Sequence, residues 1–168
     1  MVATPQFGAQ PIGPYKLKAR IGQNNITGVY EALHRDTGEE VALRLFYNVE
    51  QEDIREKFTE RVKDVANLSH PALVPVIDHG VTKDVIYLAM PMMSGSSLKK
   101  RLTLKQTITN HENLLPVEEL PSLGEVSAML DRLADALDYL HGRDMVHYHM
   151  QPSNVLFDID GNTFLADT

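Results

Sequence analysis

From Tyr15 onward apolar and charged side chains alternate: Tyr15, Leu17, Ala19 and Ile21 are separated by Lys16, Lys18 and Arg20. A repeat of two buries one face of a strand and wets the other, so a strand is predicted over 15–21. The turn string Gly22-Gln23-Asn24-Asn25-Ile26-Thr27-Gly28 follows, a second strand is predicted over 29–34, and Asp36-Thr37-Gly38 supplies hairpin chemistry before a third over 40–46. These three make an antiparallel meander. The repeat then lengthens, because Ile54, Phe58, Val62, Val65 and Leu68 recur at spacings of three and four in a charged stretch that stops before Ser69-His70-Pro71. That predicts a helix over 51–68. Alternation returns in 73–78 and 84–90, separated by His79-Gly80-Val81-Thr82-Lys83, and Pro91 ends the second run. The outcome is a five-stranded sheet with one helix inserted after its third strand.

Residues 94–121 read as a Gly-Ser turn, a short basic helix over 98–105 and a polar loop with two prolines, and they form the predicted boundary between subdomains. Ser122 with Glu125 is a capping box, and Val126, Met129, Leu130, Leu133, Leu137 and Leu140 are the apolar stripe of a helix that reaches His141. Short strands over 154–157 and 162–166 flank the turn Asp158-Ile159-Asp160-Gly161. At the other end, residues 1–13 lack periodicity and read as a loose arm. The expected organisation is an arm over 1–13, a sheet-rich part over 14–93 and a partly helical part over 94–168.

Composition narrows the function classes. The chain of 168 residues has no cysteine, which removes disulfide scaffolds, cysteine nucleophiles and thiolate zinc sites together. Its net charge of −7, from 16 Lys+Arg against 23 Asp+Glu, argues against nucleic acid as a partner. The longest apolar stretch, 85–93, is half the length of a bilayer span, and the N-terminus has no charged and apolar leader. A cytoplasmic protein with no membrane contact is expected. His141, His147 and His149 have no suitably spaced carboxylate and are set aside as a zinc site. Asp158-x-Asp160-Gly161-Asn162 lacks the closing glutamate of a calcium loop and reads as a hairpin turn, while Lys99-Lys100-Arg101 with Lys105 reads as a solvated helix face.

One arrangement unites these pieces. Strand, glycine-bearing turn, strand, strand with Val41-Ala42-Leu43-Arg44, helix, two strands, long helix, then Val146-His147-Tyr148-His149-Met150-Gln151-Pro152-Ser153-Asn154-Val155-Leu156-Phe157 and Leu165-Ala166-Asp167 resembles a protein kinase of the Ser/Thr type, most like the bacterial ones. The resemblance covers 14–168. It implies an α+β kinase-like fold: an N-lobe and hinge over 14–93, with a five-stranded antiparallel sheet and one helix, and a partial helical C-lobe over 94–168 that stops at the Asp-Phe-Gly position. ATP and magnesium are the cofactors such a site takes, and the expectation for this chain is that none is required, with ATP and magnesium as the alternative.

Carried over residue by residue, the resemblance puts Ile21, Val29, Ala42 and Leu156 around an adenine slot, Met90 at the gatekeeper position, and Pro91 and Met93 in the hinge. The same apolar residues would serve equally to pack a cleft shut, and both readings stand. Asn154 and Asp167 match the two magnesium-holding groups; the alternative is that Asn154 satisfies loop backbone groups and Asp167 frays.

The catalytic positions depart from the pattern. Only Gly22 of the three phosphate-loop glycines is in place, with Asn24 and Thr27 at the other two and Gly28 one residue late, so the string reads either as a phosphate cover or as a polar hairpin. Arg44 stands in place of the strand lysine. Arg61 stands in place of its helix glutamate; it is expected toward the apolar side of the helix, or turned to solvent, and two guanidiniums there repel. His149 replaces the catalytic aspartate, Gln151 the following lysine, and Tyr148 the arginine that docks a phosphorylated activation segment. No catalytic position is intact.

The expectation is a degenerate, truncated pseudokinase acting through protein contacts. The kinase body that would cover the leucine stripe of 122–141 is absent, so the cover is a second copy, another protein or the rest of a longer parent, with homo-oligomerisation through 122–141 preferred. A sensor that binds ATP without phosphotransfer, and a fragment of a larger Ser/Thr kinase-like protein, are the alternatives.

Overall fold

Five strands pair in the order β1-β2-β3-β5-β4, all antiparallel: β1 is Tyr15–Gln23, β2 Thr27–His34, β3 Glu40–Phe46, β4 Asp78–Val81 and β5 Ile86–Pro91, with helix α1 over Glu52–Ala66 after the third. Helices α2, Leu98–Thr109, and α3, Leu123–His141, precede a two-stranded ribbon of β6, Val155–Phe157, and β7, Thr163–Leu165. The computed structural model describes residues 11–23, 27–47, 52–82, 85–109 and 121–168, with backbone alone at 23, 52–54 and 104–109. The chain divides into two compact units, Met1–Leu68 with Pro75–Met92, and Ser69–Val74 with Met93–Thr168.

In the first unit, β3 shows the alternation its sequence predicts. Val41, Leu43 and Leu45 are buried with Tyr15, Ala32, Tyr87 and Ala89 on one face. On the other face Phe46 joins Ile86, Leu88, Val62, Phe58 and Val76. Strand β5 is therefore covered on both sides, which accounts for its unbroken apolar run. Tyr15 on β1 donates its hydroxyl to Asp78 Oδ2 of β4 at 2.9 Å, tying the two outermost strands across a strongly rolled sheet. The first part of the expected arm, 1–10, lies outside the described residues. Its end is ordered, because Ile12 is buried and exchanges backbone hydrogen bonds with Tyr15 at 2.9 and 3.0 Å.

The second unit is organised by α3. Ser122 Oγ accepts from Glu125 N at 3.1 Å and Glu125 Oε2 accepts from Ser122 N at 2.7 Å, so the predicted capping box forms. The helix buries Leu133, Ala136 and Leu140. Leu130, expected in the stripe, is exposed, and Ala136 is buried with Leu133 and Leu140 instead. Arg132 donates to the Thr163 and Pro71 carbonyls, and the Tyr139 hydroxyl accepts from Ser69 N at 3.0 Å while its ring stacks on His70.

These contacts explain a correction. Residues 73–78 were expected to be a strand of the large sheet, but β4 begins only at Asp78 and uses residues expected in the turn. Leu73 and Val74 belong to the second unit, where Val74 N donates to Leu165 O at 2.9 Å and Leu165 N to Ala72 O at 2.8 Å. Their apolar side chains are buried beside β7, and Pro75, lacking an N–H, separates them from β4. The boundary expected after 93 falls after Met92, so Met93 belongs to the second unit. Helix α2 continues four residues past its expected end, to Thr109.

Candidate functional site

Within the second unit the loop from His147 to Asn154 and the chain after β7 are tied together by backbone. Ala166 N donates to Asn154 O at 2.8 Å, Asn154 N to Gln151 O at 2.9 Å, and the buried His147 ring places Nε2 2.9 Å from Ala166 O. Asp167 follows with φ 74°, a left-handed turn that brings its side chain back to the loop. The result is direct: Asn154 Nδ2 donates to Asp167 Oδ2 at 3.2 Å and to His149 O at 2.9 Å. Asn154 thus satisfies a loop carbonyl and also contacts the carboxylate of Asp167.

His149 and Gln151 take part through their backbones. Both side chains are exposed, as is Tyr148. Histidines 141, 147 and 149 form no cluster, and among the described residues no group of His, Cys, Asp and Glu could hold a metal ion by itself. The turn after β6 is built by Asp158, which accepts from the Asp160 and Asn162 amides at 3.0 and 2.8 Å and from Asn162 Nδ2 at 2.8 Å. Those bonds hold the Asp158 carboxyl below its ordinary range.

In the first unit Val29 pairs with Arg44, and Ala42 pairs with Met90. The pleat puts Ala42, Arg44 and Phe46 on the α1 side of the sheet. Arg44 is the charged member: its guanidinium carbon lies 5.3 Å from the Phe46 ring centre, and burial lowers its pKa to about 10. It remains a cation at neutral pH in a site that disfavours one. Arg61 is exposed on α1 while its neighbour Val62 is buried, so the expectation that it faces the apolar side is corrected. Phe58, Val62 and Val65 repeat at four and three and leave Arg61 off their face.

Of the adenine-slot positions, Ile21 is exposed, and Val29, Ala42, Met90 and Pro91 in the first unit, with Met93 and Leu156 in the second, are partly buried. Leu156 is bridged to Ser97 of the short segment that Gly95 docks on β6, with Gly95 N donating to Phe157 O at 2.9 Å. Asn24 lies outside the described residues. Thr27 is buried at its place in β2.

Gly28 answers to packing. A Cβ there would overlap the Tyr47 hydroxyl and lie 2.8 Å from Tyr30 Cε2, so the absence of a side chain makes room for two tyrosines of the same unit. Sequence reasoning missed both tyrosines, and also missed the His147 tie to Ala166. An aromatic pair flanking a misplaced glycine was the available signal for the first.

A family model described as "Protein kinase domain" matches residues 15–167. The chain belongs to the protein kinase domain family. It is 31% identical over 99% of its length to the "DNA damage-responsive serine/threonine-protein kinase RqkA" of Deinococcus radiodurans, covering 23% of that protein. It is 28% identical over 96% of its length to the "Serine/threonine-protein kinase PrkC" of Bacillus subtilis, covering 23%. A similar match to the "Serine/threonine-protein kinase PknD" of Chlamydia trachomatis, also 28% identical, spans 91% of the chain and 16% of that protein. The chain thus spans under a quarter of the length of these curated relatives. The five-stranded antiparallel sheet with α1 is the kinase-like N-lobe, and with the further helices it makes a protein-kinase-like α+β fold.

Proposed function

We propose that this kinase-domain chain is catalytically inactive and acts through protein contacts. The observation that carries the reading is the pair Arg44 and Arg61: the phosphate-orienting ion pair of a kinase needs a cation and a carboxylate, and here both positions are cationic, one desolvated on the sheet and the other exposed on α1. The base position adds to it. His149 supplies no negative charge there, and its side chain stands in solvent. Incubation with radiolabelled ATP and a Ser/Thr peptide pool is expected to give no transfer above the background of the Asn154→Ala and Asp167→Ala variants. Transfer by the unaltered chain that vanishes in both variants would establish an active kinase instead.

The 3.2 Å contact of Asn154 with Asp167 favours a second reading, nucleotide binding without phosphotransfer. Donation by Asn154 Nδ2 leaves its Oδ1 available, and with the Asp167 carboxylate it offers the oxygen ligands magnesium takes, water completing the octahedron. The residues therefore fit the cation. Magnesium there would neutralise phosphate charge, whereas the two positions of the lysine–glutamate pair are both arginine, Arg44 and Arg61. With millimolar ATP and magnesium this reading expects a rise in melting temperature that is lost in Asp167→Ala. No rise at that concentration removes it and leaves the first reading untouched.

A further inference from the structure

We infer that Tyr47 is a latch that sets the β1–β2 hairpin from the face of the sheet opposite α1. The sheet's alternation places Tyr47 with the cluster of Val41, Leu43 and Leu45, where it is buried to 7% exposure and joined by the partly buried Tyr30. Its hydroxyl donates to the Tyr30 hydroxyl at 3.1 Å. The ring reaches that position only over a residue without a side chain, which is Gly28. Three strands meet there. Gly28 pairs with Gln23 on β1 and with Leu45 on β3, while Tyr30 pairs with Arg20 just before the irregularity between Arg20 and Gly22.

Two independent features converge on this point. A glycine inside a strand weakens it unless something approaches its backbone closely, and here Tyr47 does. A buried tyrosine hydroxyl needs a partner, and Tyr30 provides it. In addition Thr27 is buried on the strand next to Gly28, so the β2 arm is held on both faces. In kinase domains this hairpin is the part that covers nucleotide phosphates, and its glycines leave it free to move. In this chain the glycine is consumed by a tyrosine latch, and the arms are fixed without any ligand. The inference rests on the packing of Tyr47, Tyr30 and Gly28 and is independent of whether the chain catalyses phosphotransfer.

Amide hydrogen exchange on the full chain tests it. Tyr47→Leu is expected to raise exchange at residues 22, 23 and 27–30 about tenfold, the scale of a lost buried contact and hydrogen bond, with β4 and β5 unchanged. Gly28→Ala, which drives the ring out, should do the same. The double variant Gly28→Ala/Tyr47→Leu should exchange no faster than Tyr47→Leu alone, because the clash and the latch are one interaction. Tyr47→Phe keeps the ring and the fold and should give about a threefold rise confined to the same amides. Hairpin exchange unchanged in Tyr47→Leu and Tyr47→Phe, additive effects in the double variant, or a rise spread evenly over the sheet would each overturn the latch.

Discussion

Arg44 shows how far a single side chain can be argued from its surroundings. The V-A-L-R string puts it on the α1 face by simple alternation, and that much was legible because the pleat has a fixed period. Its energetic consequence was not legible, since desolvation depends on tertiary burial around the guanidinium, which lies over the Phe46 ring on a strand paired with β5. With the pKa lowered from 12.5 to about 10, the folded state disfavours the cation that neutral solution imposes. Arg44→Met is therefore expected to raise the unfolding free energy by about 1 kcal/mol at neutral pH, read as a higher urea midpoint at constant slope. The sign of the pH dependence follows. The folded chain releases this proton before the unfolded one, so the penalty is complete below pH 10 and fades as the pH rises above it, and the advantage of methionine shrinks in step. A lower midpoint for Arg44→Met would show that the guanidinium contributes net stability. Gly28 and Arg61 mark the opposite limit of legibility. Gly28 stands open in the sequence between a late phosphate-loop glycine and a polar hairpin because its reason, Tyr47, comes from beyond another strand. Arg61, open between the apolar side of the helix and solvent, proves exposed.

At the scale of elements, what sequence made visible was what is decided locally. Strands β1, β2 and β3, helix α1 and the capped start of α3 follow from period, turn chemistry and the Ser122–Glu125 box. Strand β4 was misplaced because Leu73 and Val74 are as apolar as a strand requires, while the choice of partner belongs to β7, far along the chain. The sheet's roll was likewise hidden, and it concentrates tyrosines in one core: Tyr15, Tyr47 and Tyr87 are buried, and burial is the leading cause that pushes all three hydroxyls above their ordinary 10.0. Hydrogen bonding to Asp78 adds to the shift for Tyr15, and bonding to Tyr30 adds to it for Tyr47. Raised acid pKa values mean the fold favours the protonated phenols, so their contribution is whole below pH 10 and is lost as the pH climbs beyond it. Alkaline titration should unfold the sheet above pH 10, with part of the tyrosinate absorbance appearing only together with the loss of circular dichroism. Smooth ionisation of every tyrosine near 10 with the sheet intact would contradict the packing described.

For the molecule as a whole, the protein-contact reading turns on α3. Its described residues bury a narrow stripe, whereas Leu123 and Leu130 are 90% and 56% exposed. Apolar residues on that outer face gain most from a covering surface, and a second copy of the chain is the occupant we propose. Charge sharpens the expectation. Glu125, Asp131, Asp135 and Asp138 are exposed on the same helix, and the chain carries a net −7, so two such faces repel at low ionic strength while their leucines attract. Salt screens the first effect and leaves the second, so association should strengthen as salt rises. Light scattering is expected to show the mass rising toward twice that of the 18.8 kDa chain between low and high salt, and Leu130→Glu to return it to the monomer without altering the melting temperature. A monomer at every salt and protein concentration would exclude the second copy, and a dimer indifferent to Leu130→Glu would move the contact away from α3.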